Sequence, residues 1–528
     1  MMDKQMRVTR SFISIVAVAA VVVGPSVATS GGRSAPGDQF VTRGQQRSAM
    51  MTVSSTRSIA RTPALSPADW QDAIDSFWGP GLPTERKLEI FDQFWRKVDR
   101  RFATFQGIED VDWGALRDRY RPEVAAGVSR GRFAAIMNHL SLALRESHTQ
   151  AMDVEVNFFT VPLPGVPLFA IGPWFPSSFG ACATAQSDGT ALIIDVAPGH
   201  PLGLERGDRV LGFDGRPWSE LYPELLAAEL PFFPLWWGSS PSSYEHTFVA
   251  SAPLNWHLFN TVDVARFRTG IVEHLPTAPL VDGPASSMCT EQMDVPGIPK
   301  PPLLDDFNDV VSWGILPGTR IGYIYVWAWF GNAGPAFAQA IRELTQQQQT
   351  DGLIIDFRFN LGGDMFLSNE GLGMLFKEAT PTVGFGKRAN PSDHFAMTLA
   401  TPPTWYVIDG GRFNDHDPGA YDGPIAVLTG PGALSAGDQV ALRMTYHPNV
   451  RTFGKSTATA FNGPITLDLD PEWSAAVAVT DAHRVGDRQN YLTHDEFVVD
   501  ESVWLTPSDV AEGKDTVVEA AVRWVTDQ

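Results

Sequence analysis

Apolar residues recur every three or four positions along the first part of the chain, which is the spacing of one helix face. One stripe follows Thr84 and contains Leu88, Phe91, Trp95, Val98 and Phe102. A second stripe contains Phe133, Ile136, Leu140 and Leu144. Ser66 and Pro67 indicate an earlier helix start, because Ser is favoured at the N-cap and Pro at the first helical position. Residues 66–150 are therefore predicted to form an N-terminal helical domain.

From about residue 155 the pattern changes to short apolar runs separated by Pro and Gly, which is typical of strands and turns. The run Ala191–Val196 predicts a strand, and turns at Pro198-Gly199 and Gly207-Asp208 follow it. This order resembles the second half of a PDZ domain, although the loop that would bind a peptide carboxylate is not recognisable. Residues 155–300 are interpreted as a PDZ-like module, in which 230–300 is either an insertion or the remainder of the module.

From about residue 302 predicted strands and helices alternate, which indicates an α/β fold. Continuous apolar runs predict buried strands at 321–327, 353–357 and 425–429. The segments between them predict helices at 335–349 and 365–376. Residues 302–528 are therefore expected to form an α/β core, and the whole chain is expected to be a multidomain α/β protein.

The N-terminus has the pattern of an export signal. Lys4, Arg7 and Arg10 precede an apolar run over 12–23, and small residues at 26–28 suit a cleavage site. The run is short for a membrane span, which needs about 20 residues. We expect a signal peptide at 1–28, a flexible leader at 29–65 and an exported protein, periplasmic or extracellular. The alternative is an uncleaved signal that tethers the protein to a membrane.

The composition excludes some classes of function. Lys and Arg number 40 against 60 Asp and Glu, a net charge of −20, so nucleic acid, which needs a basic face, is not an expected partner. His-Glu-x-x-His and phosphate-loop motifs are lacking in the sequence, so we predict no metal and no cofactor. The polar residues His394, Asp415, His416 and Asp417 are interpreted as turn residues rather than a cation site. The two cysteines, Cys182 and Cys289, could pair in an exported protein or stay free.

The sharpest chemical pattern follows the 425–429 strand. A Gly430-Pro431-Gly432 turn leads to Ser435 at the start of a predicted helix, where the Ala436 N–H has no partner within the helix. Acyl transfer needs this pairing of a nucleophile with a donor for the oxyanion. The competing interpretation is that Ser435 is only an N-cap, a role in which Ser is common.

Two further segments carry candidate residues. Gly362 and Gly363 follow a buried strand, and such a double glycine allows close backbone approach and exposes N–H donors. The pair also fits an ordinary strand–helix turn. His148, preceded by Ser147 at the end of the helical domain, is a candidate general base, although a single His at a helix end is commonly structural.

Taken in order, these segments resemble the tail-specific serine peptidases, which include the C-terminal processing peptidases and the tricorn-core peptidases. The closing segment around Val503-Trp504-Leu505 and Asp515 also fits, and the resemblance spans 66–525. It implies a crotonase-like ββα peptidase core, polypeptide substrates and no cofactor. It implies nothing about the oligomeric state or the cleavage preference.

The family activates its serine in two ways. Processing peptidases use a Ser–Lys dyad, but Lys455 comes too early after Ser435 and fits a variable turn position, with Gly454 and Thr457 in register. The position at the family's spacing is Ala460, so the dyad is disfavoured.

Tricorn-type members use a Ser–His–Ser–Glu tetrad, and Ser147-His148 matches its His and second Ser. The resemblance implies that Ser435 attacks, His148 transfers the proton, and Ser147 connects His148 to an acid. The acid is assigned to Glu496, with Asp495 as the alternative. The implied oxyanion donors are Gly362, Gly363 and Ala436.

Other functions stay open at this stage. Retinoid-binding proteins of the retina resemble this family, and an aromatic-rich stretch could line an apolar pocket instead of packing in cores. Its residues are Phe232, Phe233, Trp236, Trp237, Trp256, Trp327, Trp329 and Phe330. A third possibility is a peptide-binding scaffold in which the PDZ-like module captures C-termini by strand addition.

Overall fold

The computed structural model describes residues 67–528, apart from 234–235, 287, 303–305, 307, 401–406 and 411–419. The predicted signal peptide and leader therefore lie outside the described residues, as do Asp415, His416 and Asp417. The part of the chain that is described contains no helix long and apolar enough to cross a membrane.

Four helices begin the described chain: α1 Pro67–Trp78, α2 Thr84–Arg101, α3 Trp113–Ala126 and α4 Arg130–Ala143. Asp112 and Ser129 cap α3 and α4 by accepting the N–H groups of Ala115 and Arg132. The buried face of α2 differs in part from the predicted stripe, because Ile90 and Phe94 are buried while Leu88 and Trp95 are only half-buried. The buried set consists of Ile90, Phe91, Phe94 and Val98, together with the Lys87 side chain.

Strand β1, Gln150–Asp153, follows these helices directly. The middle of the chain, residues 169–282, then contributes eight strands and two helices. The strands are β2 Phe169–Ala170, β3 Ala181–Ala185, β4 Ala191–Val196, β5 Arg209–Phe213, β6 Arg216–Pro217, β7 Phe232–Phe233, β8 Thr261–Ala265 and β9 Val272–Pro276. The helices are α5 Trp218–Ala227 and α6 Pro241–Ala250. Strands β3, β4, β5, β8 and β9 form an antiparallel sheet in that order, with β6 paired to β5.

The C-terminal part contributes the remaining elements. Its strands are β10 Val311–Ile315, β11 Ile321–Val326, β12 Gly352–Asp356, β13 Phe359–Asn360, β14 Thr380–Pro381, β15 Val383–Arg388, β16 Met397–Leu399, β17 Val407–Ile408, β18 Ile425–Thr429, β19 Gly432–Ala433, β20 Val450–Gly454, β21 Gly463–Leu467, β22 Trp473–Arg484 and β23 Glu501–Ser502. Its helices are α7 Ala333–Arg342, α8 Asn369–Leu375, α9 Ala436–Met444, α10 Pro507–Ala511 and α11 Thr516–Thr526. These elements confirm the predicted alternation, with shorter helices than expected.

Shorter helical segments complete the chain. Short 3₁₀ segments cover Phe105–Ile108, Ala252–Leu258, Ala278–Asp282 and Met365–Ser368. Wider π-type turns cover Glu155–Phe159 and Glu343–Gln347. The helix predicted at 335–349 is thus α7 followed by a π-type turn, and the one predicted at 365–376 is a 3₁₀ turn followed by α8.

The central sheet has the strand order β10-β11-β12-β18-β20-β23. All its pairings are parallel except that of β10 with β11. Its inner strands β11, β12 and β18 are buried along their whole length, as continuous apolar runs predict. Parallel strands place their C-terminal ends on one edge, so the loops after β12 and β18 meet there.

A second sheet joins the two ends of the chain. Its order is β1-β22-β15-β16, with β21 also paired to β22. Pairing of β1 with β22 sets Gln150 opposite Ala476. The N-terminal helices share one hydrophobic core with this region, since Phe91 and Ile136 cluster with Trp473 and Val477. This packing carries the segment after α4 to the C-terminal part of the molecule.

The multidomain α/β class is confirmed. A disulfide joins Cys182 on β3 to Cys289. The two cysteines are therefore paired, a point that the sequence left open. The residues around it form a small cluster with Leu505 and Val510 from the C-terminal part.

Candidate active site

Ser435 lies in a sharp turn between β19 and α9. Its backbone has φ 58° and ψ −120°, a region that non-glycine residues rarely adopt. A serine held in a strained strand-to-helix turn presents its hydroxyl outward, as in the nucleophile turns of other serine hydrolases. The Ser435 side chain makes no capping hydrogen bond to α9, so the simple N-cap interpretation does not hold. The residue is partly exposed.

The turn at Gly362 and Gly363 packs directly against this serine. A Cβ atom on Gly362 would lie 2.6 Å from the Ser435 Cβ and 2.8 Å from the Leu434 carbonyl oxygen. The backbone also has φ +83° at Gly362 and φ +122° at Gly363. Only glycine combines this conformation with this approach. The two segments are tied together by the Leu434 N–H, which donates to the Asn360 carbonyl at 3.0 Å.

The N–H groups around Ser435 divide into used and free donors. The Gly362 N–H donates to Asn360 Oδ1 at 3.0 Å, so it is engaged. Within the described ranges, the N–H groups of Gly363 and Ala436 have no acceptor. Ala436 follows Ser435 directly, and Gly363 follows the glycine that packs against Ser435. An oxyanion hole requires such free N–H donors beside the nucleophile. Of the three predicted donors, Gly362 acts instead through its close approach.

His148 lies between the end of α4 and the start of β1. Glu146 Oε1 accepts the His148 backbone N–H at 2.7 Å and lies 3.0 Å from His148 Nδ1. An ionised carboxylate can only accept, so Nδ1 carries the proton and Nε2 is left as the basic nitrogen. The His148 side chain is 10% exposed and that of Glu146 is 0% exposed. Burial raises the pKa of Glu146, but the hydrogen bond and charge of His148 outweigh it and leave this pKa below its ordinary value.

Ser435 and His148 make no direct hydrogen bond in the part of the chain that is described. They are linked through the segment 457–462. Asp438 on α9 accepts N–H groups of Thr459 and Ala460 from it, and Asn462 on the same segment helps to hold the pKa of Glu146 low. Burial raises the pKa of Asp438 to about 7, while its hydrogen-bond donors and the charge that His148 carries when protonated act to lower it. Hydrogen bonds between catalytic groups commonly tighten only when substrate binds.

Comparison with protein-family models gives two matches. The model described as Peptidase family S41 matches residues 320–495, which include the double-glycine turn and the Ser435 turn. The model described as Tricorn protease C1 domain matches residues 83–141, which end just before His148. The segment 320–495 therefore matches an S41 peptidase domain. The chain is a serine peptidase, as the resemblance in the sequence implied.

Two solved structures share the fold of this S41 peptidase. Mature CPAF complexed with lactacystin aligns with a TM-score of 0.57 at 12% identity, over 84% of this chain and 98% of that chain. Mature CPAF alone gives a TM-score of 0.56 at 12% identity, over 84% and 96%. At this identity the likeness concerns the fold. A search of curated proteins finds no match.

The acid predicted for the S41 peptidase lies elsewhere. Glu496 accepts the backbone N–H of Ser242 at 2.8 Å and its hydroxyl at 2.5 Å, and it caps the first turn of α6 on the surface. Within the described ranges, neither Glu496 nor the exposed Asp495 bonds to Ser147. Ser147 is buried, and its carbonyl accepts the Gln150 amide. Glu496 thus binds Ser242, and the carboxylate that contacts His148 is that of Glu146.

Glu146 carried a signal in the sequence that was missed. An acidic residue two positions before a histidine can close a turn by accepting the histidine's backbone N–H. The segment Glu146-Ser147-His148 has this spacing. The family pattern drew attention instead to an acid far downstream.

Lys455 does not lie at the serine of this peptidase. Its ammonium donates to the Ala185 carbonyl at 3.1 Å and lies 3.2 Å from His246 Nδ1, over the Trp504 ring. Burial lowers its pKa to about 8. The lysine thus joins the C-terminal part to the middle of the chain.

The aromatic-rich stretch packs rather than lining an open pocket. Most of its side chains are buried in two hydrophobic cores: Phe232, Trp236, Trp237, Trp256, Trp327 and Trp329. Phe232 and Trp237 belong to the core of the middle sheet, while Trp327 and Trp329 belong to the core of the central sheet. Among the described residues, no group of three or more His, Cys, Asp or Glu could hold a metal ion.

Proposed function

We propose that this S41 peptidase hydrolyses peptide bonds through an acyl-enzyme formed on Ser435, with His148 as general base and Glu146 as its orienting acid. The observation that carries the proposal is the strained Ser435 turn, flanked by the free N–H groups of Gly363 and Ala436. His148, with Nδ1 on a buried carboxylate, supplies the base.

In this mechanism the Ser435 hydroxyl oxygen attacks the scissile carbonyl carbon while its proton passes to His148 Nε2. The carbonyl oxygen becomes an oxyanion between the two free N–H groups. His148 then gives the proton to the leaving amine, the C–N bond breaks, and an ester on Ser435 remains. A water molecule, deprotonated by His148, attacks this ester. The ester C–O bond to Ser435 breaks, His148 returns the proton to the serine oxygen, and the peptide acid leaves. Glu146 stabilises the imidazolium that forms at each stage.

The substrates are expected to be polypeptide tails. The antiparallel sheet in the middle of the chain, with its strand and turn order around Ala191–Val196, supports a PDZ-like module that presents tails by strand addition. A crotonase-like ββα core is the matching expectation for the C-terminal part. The Cys182–Cys289 disulfide supports an exported protein, since such bonds persist in oxidising compartments.

The test is labelling by a serine-directed fluorophosphonate. Ser435→Ala and His148→Ala should lose labelling and hydrolysis of labelled casein while keeping the wild-type melting temperature. Ser508→Ala, a serine on the short helix α10, and His394→Ala, a histidine paired with Asp99 at 2.9 Å, are matched controls that should label normally. Labelling of Ser435→Ala at the wild-type rate would overturn the proposal.

A further inference from the structure

The conformation of Ser435 requires something to hold it. A non-glycine residue at φ 58° and ψ −120° costs about 1–3 kcal/mol and persists only where its surroundings fix it. The Ser435 side chain cannot do this, because it makes no capping bond. The restraint must come from groups that bind the backbone of the turn.

Asp438 is the side chain placed to restrain this turn. It lies in the first turn of α9, is completely buried, and has a carboxylate that can accept several hydrogen bonds. Asp438 occupies the third helical position after Ser435, from which a side chain reaches back towards the N-cap N–H in capping boxes, and the Ser435 backbone is among the groups that act to lower its pKa. Asp438 therefore closes the turn that carries the serine.

The same carboxylate also binds the segment on the far side of the turn. Its Oδ1 accepts the Thr459 N–H at 2.9 Å and its Oδ2 accepts the Ala460 N–H at 3.0 Å. The Thr457 hydroxyl is a further donor. Thr459 itself has a positive φ of 53°, so Asp438 binds a strained residue on this segment directly. The neighbouring Gln439 amide adds a bond to the Phe461 carbonyl at 2.8 Å.

This segment continues to the histidine. Asn462 follows it and helps to hold Glu146 ionised, while Glu146 Oε1 holds His148. Asp438 thus ties the first turn of α9, whose Gln439 N–H donates to the Ser435 carbonyl at 3.0 Å, to Thr459 and Ala460. From there the chain continues to the support of His148.

We infer that Asp438 is a positioning residue for the peptidase reaction, which holds Ser435 in its reactive conformation and fixes its place relative to His148. The inference rests on the proposed role of Ser435. Asp438 itself touches no substrate and transfers no proton in this account. Its loss should slow the chemical step while leaving ligand binding nearly unchanged.

The test measures fluorophosphonate inactivation of the full chain, separated into a maximal rate and an apparent binding constant. Asp438→Asn keeps the side-chain shape but turns one acceptor into a donor facing a backbone N–H. The maximal inactivation rate should fall about 100-fold, because this is the loss expected when a reacting group is misplaced by about 1 Å. The apparent binding constant of the fluorophosphonate should stay within about threefold of the wild-type value. Asp438→Glu should recover part of the rate.

Thr457→Val is a milder test, because it removes one donor to Asp438 and leaves the carboxylate in place. If Asp438→Asn does not fold, Thr457→Val is the variant that tests the positioning role. Its rate should fall a few-fold with an unchanged melting temperature. Asp500→Asn is the matched control, since Asp500 accepts the N–H and the hydroxyl of Thr452, both at 2.8 Å, away from the serine. It should label at the wild-type rate.

The outcomes separate the two proposals. Wild-type labelling by folded Asp438→Asn, or by Thr457→Val where Asp438→Asn does not fold, would overturn the positioning role while Ser435→Ala stays unlabelled. A Ser435→Ala variant that still labels would instead overturn the proposed nucleophile. A change in binding constant alone, with an unchanged maximal rate, would also contradict the positioning role.

Discussion

The two halves of the candidate site are built in different ways. Ser435 and its neighbours lie at one edge of the central sheet, where β12 and β18 end side by side, and their geometry is set by backbone conformation and close glycine contacts. His148 comes from the segment after α4 and owes its orientation to one side chain, Glu146. The nucleophile side is thus fixed by the backbone, while the base side depends on a single carboxylate. Substitutions should affect the two sides to different extents.

The largest effect is expected on the base side. Glu146→Gln keeps the size of the side chain but removes the charge that favours the reactive tautomer and the imidazolium of His148. Loss of the orienting acid costs about 10³–10⁴-fold in kcat in related catalytic arrangements, and we expect a fall in this range. Glu496→Gln is the matched control variant, and its kcat should stay within about threefold of the wild-type value. Equal losses of kcat in the two variants would contradict the role of Glu146 and support Glu496 as the orienting acid.

The next largest effect is expected on the nucleophile side. Gly362→Ala places a Cβ 2.6 Å from the Ser435 Cβ, so the serine turn must move away from the oxyanion donors. Loss of such a donor costs about 10²–10³-fold in kcat, and a similar fall is expected for this variant. Gly318→Ala, at a turn with open space around the added Cβ, controls for backbone strain. Hydrolysis of labelled casein measures both, and normal activity of Gly362→Ala would contradict the close approach.

A smaller effect on stability should come from Asp481, on β22 near the base side. Burial raises its pKa to about 8, so the folded state favours the protonated form. The stability that this group contributes at low pH is therefore lost as the pH rises from its unfolded value towards about 8. Asp481→Asn imitates the protonated side chain and keeps the acceptor for Thr493 and Ala482.

The measurement is the melting temperature at pH 5, 7 and 9. Wild type should lose stability across this range, and Asp481→Asn should lose less, with a gain at pH 9 of a few °C, or about 1 kcal/mol. Parallel curves for the two proteins would show that Asp481 does not titrate in this range.

The smallest effect on kcat is expected from Lys455, which lies outside both halves of the candidate site. Lys455→Met replaces a buried ammonium, whose pKa is lowered to about 8 by burial, with an apolar chain of similar length. Because Lys455 contacts Ala185 and His246 rather than the serine, kcat should stay within about threefold of wild type, the range expected when a mutation leaves transition-state contacts intact. A loss of kcat as large as that of Ser435→Ala would instead support a Ser–Lys dyad that includes Lys455.

The sequence predicted local structure well where periodicity and turn residues agree. Strands Ala191–Val196 and Ile425–Thr429 have the predicted bounds, and helix α2 begins at Thr84 as expected. The buried face of α2 was predicted less well, because the helix packs against both α3 and the distant strand β22. Packing against two neighbours widens the buried face beyond one stripe, and one of these neighbours lies far along the chain.

The candidate site shows the same division. Sequence patterns singled out Ser435, His148 and the double glycine, and the structure places these residues in a connected region. They did not reveal that the Gly362 N–H is already engaged by Asn360. A motif indicates which residues lie near a turn. Whether a given N–H is already hydrogen-bonded depends on the positions of all neighbouring donors and acceptors. The catalytic roles themselves stay predictions until the variants are measured.

By itself, the sequence determined the elements, the family and the turn in which a serine precedes a helix, because these follow from local periodicity, glycine conformation and short motifs. Only the tertiary structure decided which acid serves His148 and which N–H groups stay free. Such pairings depend on distances between segments that are remote in the chain, and several acids satisfy the same spacing rule until folding brings one of them into contact.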